Sequence, residues 1–376
     1  MNIHFIDGPF FELLEDKEEE QVYQVEFINK DTNRTEATEI IRSNWWARAN
    51  IKYFANWKIR VTGINNSFYH EHDFDCTGKR VLIGFESSAL GDTLAWLDLA
   101  EQFRVAHNCT VICSSFHNYL FKDQYPELEF VEPDTYVDNL YALYRLGFFY
   151  TGDNYDRNNH PHDLFKQPLQ KIGSDILGLP FKEARPRLPL DPTIKKKKQV
   201  CIAIHATALC KYWNNPTGWQ EVVDYLNEEG YQVILTSKEE DTPVGMAPLK
   251  GIIKHPAGGL PEVLKVMQES EFFIGLTSGL SWLAWSAGLP TIIISGFTDT
   301  YVEPIDNVYR IINRGVCHNC WEKHNFDRGD FYYCPSHKGT DKAYECTKSI
   351  QAYEVIQKIK FLRRRMAEQQ QTQPTP

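Results

Sequence analysis

Four clustered cysteines and three short polar stretches are the parts of this 376-residue sequence whose residue types and spacing could do chemistry. Cys317, Cys320, Cys334 and Cys346 follow the pattern C-x2-C-x13-C-x11-C. The knuckle Cys317-His318-Asn319-Cys320 can place two thiolates on one ion, and the other two cysteines can complete a tetrahedral set. Zinc is the generic occupant of four thiolates, and iron takes the same geometry. Four protein ligands leave no open coordination position, so an ion there would brace the fold rather than react. Disulfides are the competing reading, disfavoured in a reducing compartment. His318, His324 and His337 lie close by in sequence and read as surface residues.

The first polar stretch is Gly91-Asp92-Thr93, which follows an apolar run. A carboxylate at a strand end can take the proton from an attacking hydroxyl. Asp92 and Thr93 equally suit the start of a helix as capping residues. The second stretch runs from His205 through Thr207 and Lys211 to Tyr212-Trp213. A lysine there can neutralise charge developing on a diphosphate leaving group, while the bland reading is an ordinary exposed lysine. The third is Gly275-Leu276-Thr277-Ser278-Gly279-Leu280-Ser281, whose small residues let backbone N–H groups approach phosphate oxygens at a helix start. It matches neither the Walker pattern nor the dinucleotide fingerprint, so no motif supports ATP hydrolysis or NAD binding.

These stretches need strands and helices to hold them. Length suggests roughly two or three domains, and a 42% hydrophobic share can bury a real core. Residues 1–77 read as a β-rich N-terminal domain, with strands at Val22–Phe27, Asn44–Trp46, Ile51–Phe54 and Trp57–Val61. Arg80–Phe85, Cys109–Cys113 and Leu128–Val131 then alternate with helical sequence, giving an α/β half over 78–190. A second half over 199–314 has strands at Val200–Ile204, Tyr231–Leu235, Phe272–Gly275, Thr291–Ile294 and Tyr309–Ile312. Two such Rossmann-like halves predict a cleft, with ligands beyond the carboxyl ends of the strands. The cysteine finger follows at 315–348, then a C-terminal helix from Ala352 to Met366 and an unstructured tail within 349–376.

A net charge of −10 and a pI near 5.7 argue against nucleic acid as a partner. The four lysines within Pro192–Lys198 read as a solvated linker. The uncharged stretch Phe272–Phe297 is long enough to span a bilayer, but its Gly, Ser, Thr and Pro residues favour a buried strand–loop–helix–strand over a membrane span. The N-terminus lacks the basic flank and apolar run of a signal peptide, so a cytoplasmic location is expected. Cys76, Cys109, Cys113, Cys201 and Cys210 then read as small buried apolar residues.

Four motifs in order carry a resemblance: Gly91-Asp92-Thr93-Leu94-Ala95-Trp96, Lys211-Tyr212-Trp213-Asn214, Thr277-Ser278-Gly279-Leu280-Ser281-Trp282 and the cysteine finger. Together they resemble the bacterial autotransporter heptosyltransferases, related to the lipopolysaccharide-type heptosyltransferases of the GT-B fold. The resemblance runs from about Lys79 to about Ile350. It implies an inverting transfer of heptose from ADP-heptose to serine hydroxyls of an autotransporter adhesin. It casts Asp92 as general base and Lys211 as the group binding the donor diphosphate. Gly91, Thr93, Thr207, Tyr212, Trp213, Thr236, Thr277, Ser278, Gly279, Leu280 and Ser281 are the expected substrate-binding residues. It makes iron the first choice for the cysteines and zinc the second. A homo-oligomer stays among the expectations. Two other readings stay open: a related GT-B transferase moving another sugar onto a glycan or lipid, and a non-catalytic metal-binding adaptor on the same scaffold.

Overall fold

The computed structural model describes residues 1–16, 19–239, 242, 245–255, 258–323, 327 and 329–372. The chain divides into two compact units. Unit 1 holds Met1–Ser88, Trp96–Leu164 and Leu169–Ala184; unit 2 holds Ala89–Ala95, Phe165–Pro168 and the chain from Arg185 onward.

Unit 1 opens with β1 (Asn2–Ile6), β2 (Phe10–Glu12), β3 (Val22–Asn29), β4 (Arg34–Arg42), β5 (Trp46–Arg48), β6 (Trp57–Gly63) and β7 (Tyr69–Asp73). Strands β4-β3-β6-β7 make an antiparallel sheet in that order. Alternation drives it: Tyr23, Val25 and Phe27 of β3 and Ile59 and Val61 of β6 are fully buried, with Val25 opposite Val61 and Phe27 opposite Ile59. The remaining strands of unit 1 are β8 (Arg80–Phe85), β9 (Thr110–Ser114), β10 (Glu129–Val131), β11 (Leu140–Leu146) and the hairpin β12 (Tyr150–Thr151) with β13 (Asn154–Tyr155). Helix α1 (Leu90–His107) follows β8, and α2 (Leu169–Ile176) closes the unit.

The first 77 residues contribute strands to two sheets. Strands β1, β2 and β5 extend the parallel strands into a seven-stranded sheet of order β10-β9-β8-β11-β1-β2-β5. β1 runs parallel to β11, Phe5 opposite Ala142, which pairs the backbone edge β11 would otherwise leave open. Phe5 and Phe11 bury their rings there. Ile51–Phe54, read as a strand, forms none: Lys52 N–H donates to Asn158 O at 2.7 Å and Phe54 N–H to Ile176 O at 2.8 Å.

Unit 2 is built on β14 (Gln199–Ile202), α3 (Gly218–Glu228), β15 (Gln232–Leu235), β16 (Ile252–Lys254), α4 (Leu260–Glu269), β17 (Phe272–Leu276), α5 (Gly279–Ser286), β18 (Thr291–Ile294) and β19 (Val308–Ile311). Six parallel strands take the order β16-β15-β14-β17-β18-β19. Every residue of β14, β17 and β18 is buried, which is why those stretches are continuous apolar runs rather than alternating ones. The uncharged Phe272–Phe297 stretch is therefore core, and among the described residues no helix is long and apolar enough to cross a membrane.

The cysteine segment carries two short helices, α6 (Cys320–Lys323) and α7 (Glu345–Lys348), before α8 (Ala352–Thr372). Helix α8 packs within unit 2 against α3, β18 and β19, burying Val355, Ile359 and Leu362, with Arg363 donating to Glu229 at 2.7 Å. It also runs six residues past Met366, so residues 369–372 are helical; 373–376 lie outside the described residues. The lysine run does more than link: Lys196 donates to Ser270 O at 2.7 Å and Lys197 pairs with Glu269 at 2.7 Å, cations at the carboxyl end of α4.

In unit 1 the buried His160 ring accepts the Phe149 N–H at Nε2, 3.0 Å away, and burial pulls its pKa from 6.5 down to about 4. The unfolded chain therefore takes up this proton first. Its contribution, on the order of 3 kcal/mol, is complete above pH 6.5 and is lost as pH falls toward 4. Urea midpoints of His160→Gln should fall less steeply across that window than those of wild type; equal slopes would rule the histidine out as the acid-sensitive group.

Candidate functional site

In the six-stranded sheet the chain leaves β14 toward β15 and β16, then returns to β17 on the other side and proceeds to β18 and β19. The order reverses between β14 and β17, and a crevice beyond the carboxyl ends of such strands is where α/β sheets bind ligands. The loop after β14 carries Thr207 and Lys211; the loop after β17 carries Thr277 to Ser281. Both polar stretches singled out in sequence therefore flank the switch point.

After β14 a single 3-10 turn, Leu209–Lys211, sets the lysine half-buried with its Nζ 5.7 Å from the centre of the Phe297 ring. Amide side chains hold the turn. Asn214 Nδ2 donates to Leu209 O at 2.9 Å, Tyr212 O at 3.0 Å and Thr347 Oγ1 at 3.0 Å, while Asn215 Nδ2 reaches Ile350 O at 3.0 Å. Thr207 is exposed. Tyr212 and Trp213, expected as substrate-binding residues, are core instead. Trp213 is fully buried edge-on to Trp219, and its one N–H is used by Ile350 O at 3.0 Å. Burial likewise pushes the Tyr212 hydroxyl pKa up. Thr236, at the end of β15, is buried with its hydroxyl donating to Ile202 O at 2.9 Å, so it ties two strand ends together.

After β17 the chain turns straight into α5. Ser281 Oγ donates back to Leu276 O at 2.5 Å and closes the turn. Ser278, extended at φ −150°, precedes the helix without capping it, and its Oγ is buried with no partner among the described residues. The first N–H groups of α5, at Gly279 and Leu280, have no intrahelical acceptor. These are the donors a diphosphate needs.

Asp92 arrives beside them through two glycines. A Cβ on Gly279 would stand 3.0 Å from Leu90 Cβ and 3.2 Å from the Gly91 nitrogen; one on Gly91 would stand 3.1 Å from Trp282 Cδ1. The start of α1 is thus seated on the start of α5, and Ala89–Ala95 clusters with unit 2. Helix α1 begins at Leu90, so Asp92 stands inside its first turn rather than ahead of it as a cap. Its side chain is nearly buried, and Thr93 is fully buried with its hydroxyl on Ala89 O at 3.4 Å.

Four site residues escaped the sequence reading: Ser295, Thr298, Glu303 and Arg310, all buried side chains at the carboxyl ends of β18 and β19. The available signal was Arg310 itself, a charge within the apolar run Val308-Tyr309-Arg310-Ile311-Ile312, since a buried charge needs a partner.

Cys320, Cys334 and Cys346 are buried and Cys317 is half-buried. Burial, then the neighbouring thiols of Cys317, Cys320, Cys334 and Cys210, push Cys346 up to about 12. Tyr344 N–H points at Cys334 Sγ, 3.4 Å away, and Cys320 Sγ lies 3.3 Å from Ser336 Oγ. Among the described residues no three His, Cys, Asp or Glu side chains are grouped closely enough to hold a metal ion. His318 Nδ1 lies 2.9 Å from Val316 O, and His324 is outside the described residues. The segment docks on the site loops: Asn319 N–H donates to Gly296 O at 2.8 Å, Trp321 N–H to Phe297 O at 3.0 Å, and Leu209 N–H to Phe331 O at 2.9 Å.

Known proteins resemble this chain in sequence and fold. A family model described as glycosyltransferase family 9 (heptosyltransferase) matches residues 163–332. The chain is 36% identical over 329 residues to the autotransporter heptosyltransferase Aah of Escherichia coli, covering 84% of this chain and 83% of Aah. It is 32% identical over 326 residues to the inactive autotransporter heptosyltransferase BimC of Burkholderia thailandensis, covering 83% and 75%. It superposes on the crystal structure of the iron-containing dodecameric glycosyltransferase TibC of enterotoxigenic E. coli H10407 with a TM-score of 0.88 at 33% identity, over 97% of this chain and 96% of TibC. Against TibC in complex with ADP-D-β-D-heptose the TM-score is 0.86 at 32% identity, over 96% and 95%. The fold is that of the GT-B heptosyltransferases.

The Gly91–Gly279 approach is directly testable. Gly279→Val puts a branched side chain against backbone and should cost about 1–3 kcal/mol of stability. Urea unfolding measures this, and an unchanged midpoint would mean that the starts of α1 and α5 are not in contact.

Proposed function

This chain belongs to the autotransporter heptosyltransferases and carries a glycosyltransferase family 9 domain, and from that premise we propose an inverting transfer of heptose from ADP-heptose to serine hydroxyls of an autotransporter adhesin. The observation that carries the reading is that the start of α1, with Asp92, is seated on the start of α5, in the same compact unit whose sheet carries Lys211 on the other loop at its switch point. TibC, of the same fold, has been crystallised with ADP-D-β-D-heptose.

Each group has a role its position supports. Asp92 accepts the serine proton as the hydroxyl oxygen bonds to the anomeric carbon. The sugar–phosphate bond breaks on the opposite face, and the electron pair leaves on ADP, giving inversion in one displacement. Lys211 and the N–H groups of Gly279 and Leu280 meet the charge gathering on the diphosphate. Ser278 Oγ, buried with no partner among the described residues, is a further donor for a phosphate oxygen. Thr207, exposed on the loop after β14, is given a contact to the nucleotide in this reading; Tyr212, Trp213, Thr236 and Ser281 act by packing and by fixing the loops.

Cys317, Cys320, Cys334 and Cys346 are proposed to hold one structural iron ion, with zinc as the second choice. The C-x2-C-x13-C-x11-C spacing, the burial of Cys320, Cys334 and Cys346 and an N–H donor to Cys334 support a tetrahedral thiolate site, which the four side chains would have to close up to form. The ion would supply cross-linking, bracing the segment that grips the Lys211 turn and the Gly296-Phe297 loop. All nine cysteines are free, which fits a reducing cytoplasm. TibC is dodecameric, and assembly of several copies is part of this reading.

BimC is called inactive, so a non-catalytic role within the same family is the reading to be tested against transfer. Calorimetry with ADP, UDP, GDP and CMP separates the possibilities. Selective ADP binding is expected, weakened roughly 10- to 100-fold in Lys211→Ala, the loss of a charged hydrogen-bonding group. Asp92→Asn should keep ADP affinity and lose about 10²- to 10⁴-fold in transfer rate. Preference for UDP or GDP would reassign the donor, and no nucleotide binding would leave the adaptor.

Metal analysis of the purified protein should find iron at about one ion per chain, lost in Cys334→Ser together with thermal stability. Zinc in its place would reverse the choice of ion, and a metal-free wild type would remove the site.

A further inference from the structure

Beneath the Thr277 to Ser281 loop, the carboxyl ends of β17, β18 and β19 are stitched together by a closed chain of buried polar side chains. Thr277 Oγ1 lies 3.2 Å from Ser295 Oγ and 3.1 Å from Thr298 Oγ1. Ser295 Oγ donates to Thr298 O at 2.6 Å. Thr298 Oγ1 donates to the two Glu303 oxygens at 3.1 and 3.2 Å, and Arg310 Nη2 closes the chain on Glu303. The side chains of Glu303 and Arg310 are 2% and 6% exposed.

An ion pair this dry is a poor way to stabilise a fold. Desolvation offsets most of the attraction, and apolar residues of similar volume commonly do as well. Arg310 even leaves Nε and Nη1 buried with no partner among the described residues. What the pair does provide is direction. An ionised carboxylate only accepts hydrogen bonds, so Thr298 must give its single hydroxyl proton to Glu303. The Ser295 proton goes to Thr298 O. Thr277 is then left as the donor, its one proton shared between Ser295 Oγ and Thr298 Oγ1, and its hydroxyl faces inward. Ser278, Gly279 and Leu280 follow it directly in the chain.

We propose that Glu303, held in place by Arg310, is a positioning residue for the sugar-nucleotide donor: it orders the Thr298, Ser295 and Thr277 hydroxyls so that the N–H groups at the start of α5 are aimed at the diphosphate before it binds. This rests on the donor site proposed above. Preorganisation of this kind lowers the ordering cost of binding, and neither Glu303 nor Arg310 is given a contact to substrate.

Two variants have opposite expected signatures. Glu303→Leu/Arg310→Met removes the pair but keeps apolar volume; it should fold with a urea midpoint close to wild type, bind ADP about tenfold more weakly and raise the donor KM about tenfold with little change in kcat. Glu303→Gln still accepts from Thr298 but weakens the pair; it should lose stability and keep ADP affinity. If the apolar double variant binds ADP as wild type does, the inference is overturned. It is also overturned if that variant fails to fold and Thr298→Val, which cuts the relay alone, binds ADP normally. Wild type unable to bind ADP would instead sink the donor reading itself.

Discussion

The site depends on a contact that leaves no room for a side chain: Gly91 at the start of α1 against Gly279 at the start of α5. Two helix starts brought together concentrate N–H groups that have no intrahelical partner, and with them the positive ends of two helix dipoles. Left alone, the two ends would repel. Asp92, in the first turn of α1, supplies one negative charge there, and a diphosphate would supply more. The same approach that makes the place attractive to an anion sets the carboxylate beside it.

The segment beyond β19 serves the same end by a different means. Its described residues form little regular structure until α8, yet their backbone and side chains reach the lysine loop after β14 and the loop after β18. Thr347 and Ile350 take the amides of Asn214 and Asn215, Phe331 takes the N–H of Leu209, and Gly296 and Phe297 take the N–H groups of Asn319 and Trp321. Gly296 has no alternative, because a Cβ there would stand 2.7 Å from Cys346 Sγ. A bond network of this kind makes the cysteine segment a clamp on the lysine turn, whatever braces the cysteines. Helix α8 then anchors the clamp by burying Val355, Ile359 and Leu362 in the unit 2 core.

Aromatic residues near a polar stretch invited a functional reading, and the structure gives them a packing role. Trp213 follows Lys211 by two positions, but its ring is needed between β14 and α3, against Trp219. A tryptophan is the same residue whether it stacks on a ligand or fills a core, and only its surroundings separate the two. The charged pair Glu303 and Arg310 is the converse case. Glu303 looks like an ordinary charged residue in sequence and only Arg310, inside an apolar run, hints otherwise, yet both prove to be nearly dry.

The sequence by itself determined the local elements of unit 2 and the places where chemistry could occur. Continuous apolar runs such as Phe272–Leu276 and Thr291–Ile294 had to be buried parallel strands, and small polar residues between strand and helix had to be loops at strand ends. The cysteine spacing, too, was visible as a pattern. Tertiary structure alone decided which strands are neighbours, and so placed the reversal between β14 and β17 that brings the two loops side by side. It also decided that β1 pairs with β11, that Ala89–Ala95 joins unit 2 and that α8 packs there. The physical reason is range: residue periodicity reports on neighbours within a turn or a pleat, whereas strand order and helix docking are set by burial and backbone pairing between residues far apart in the chain.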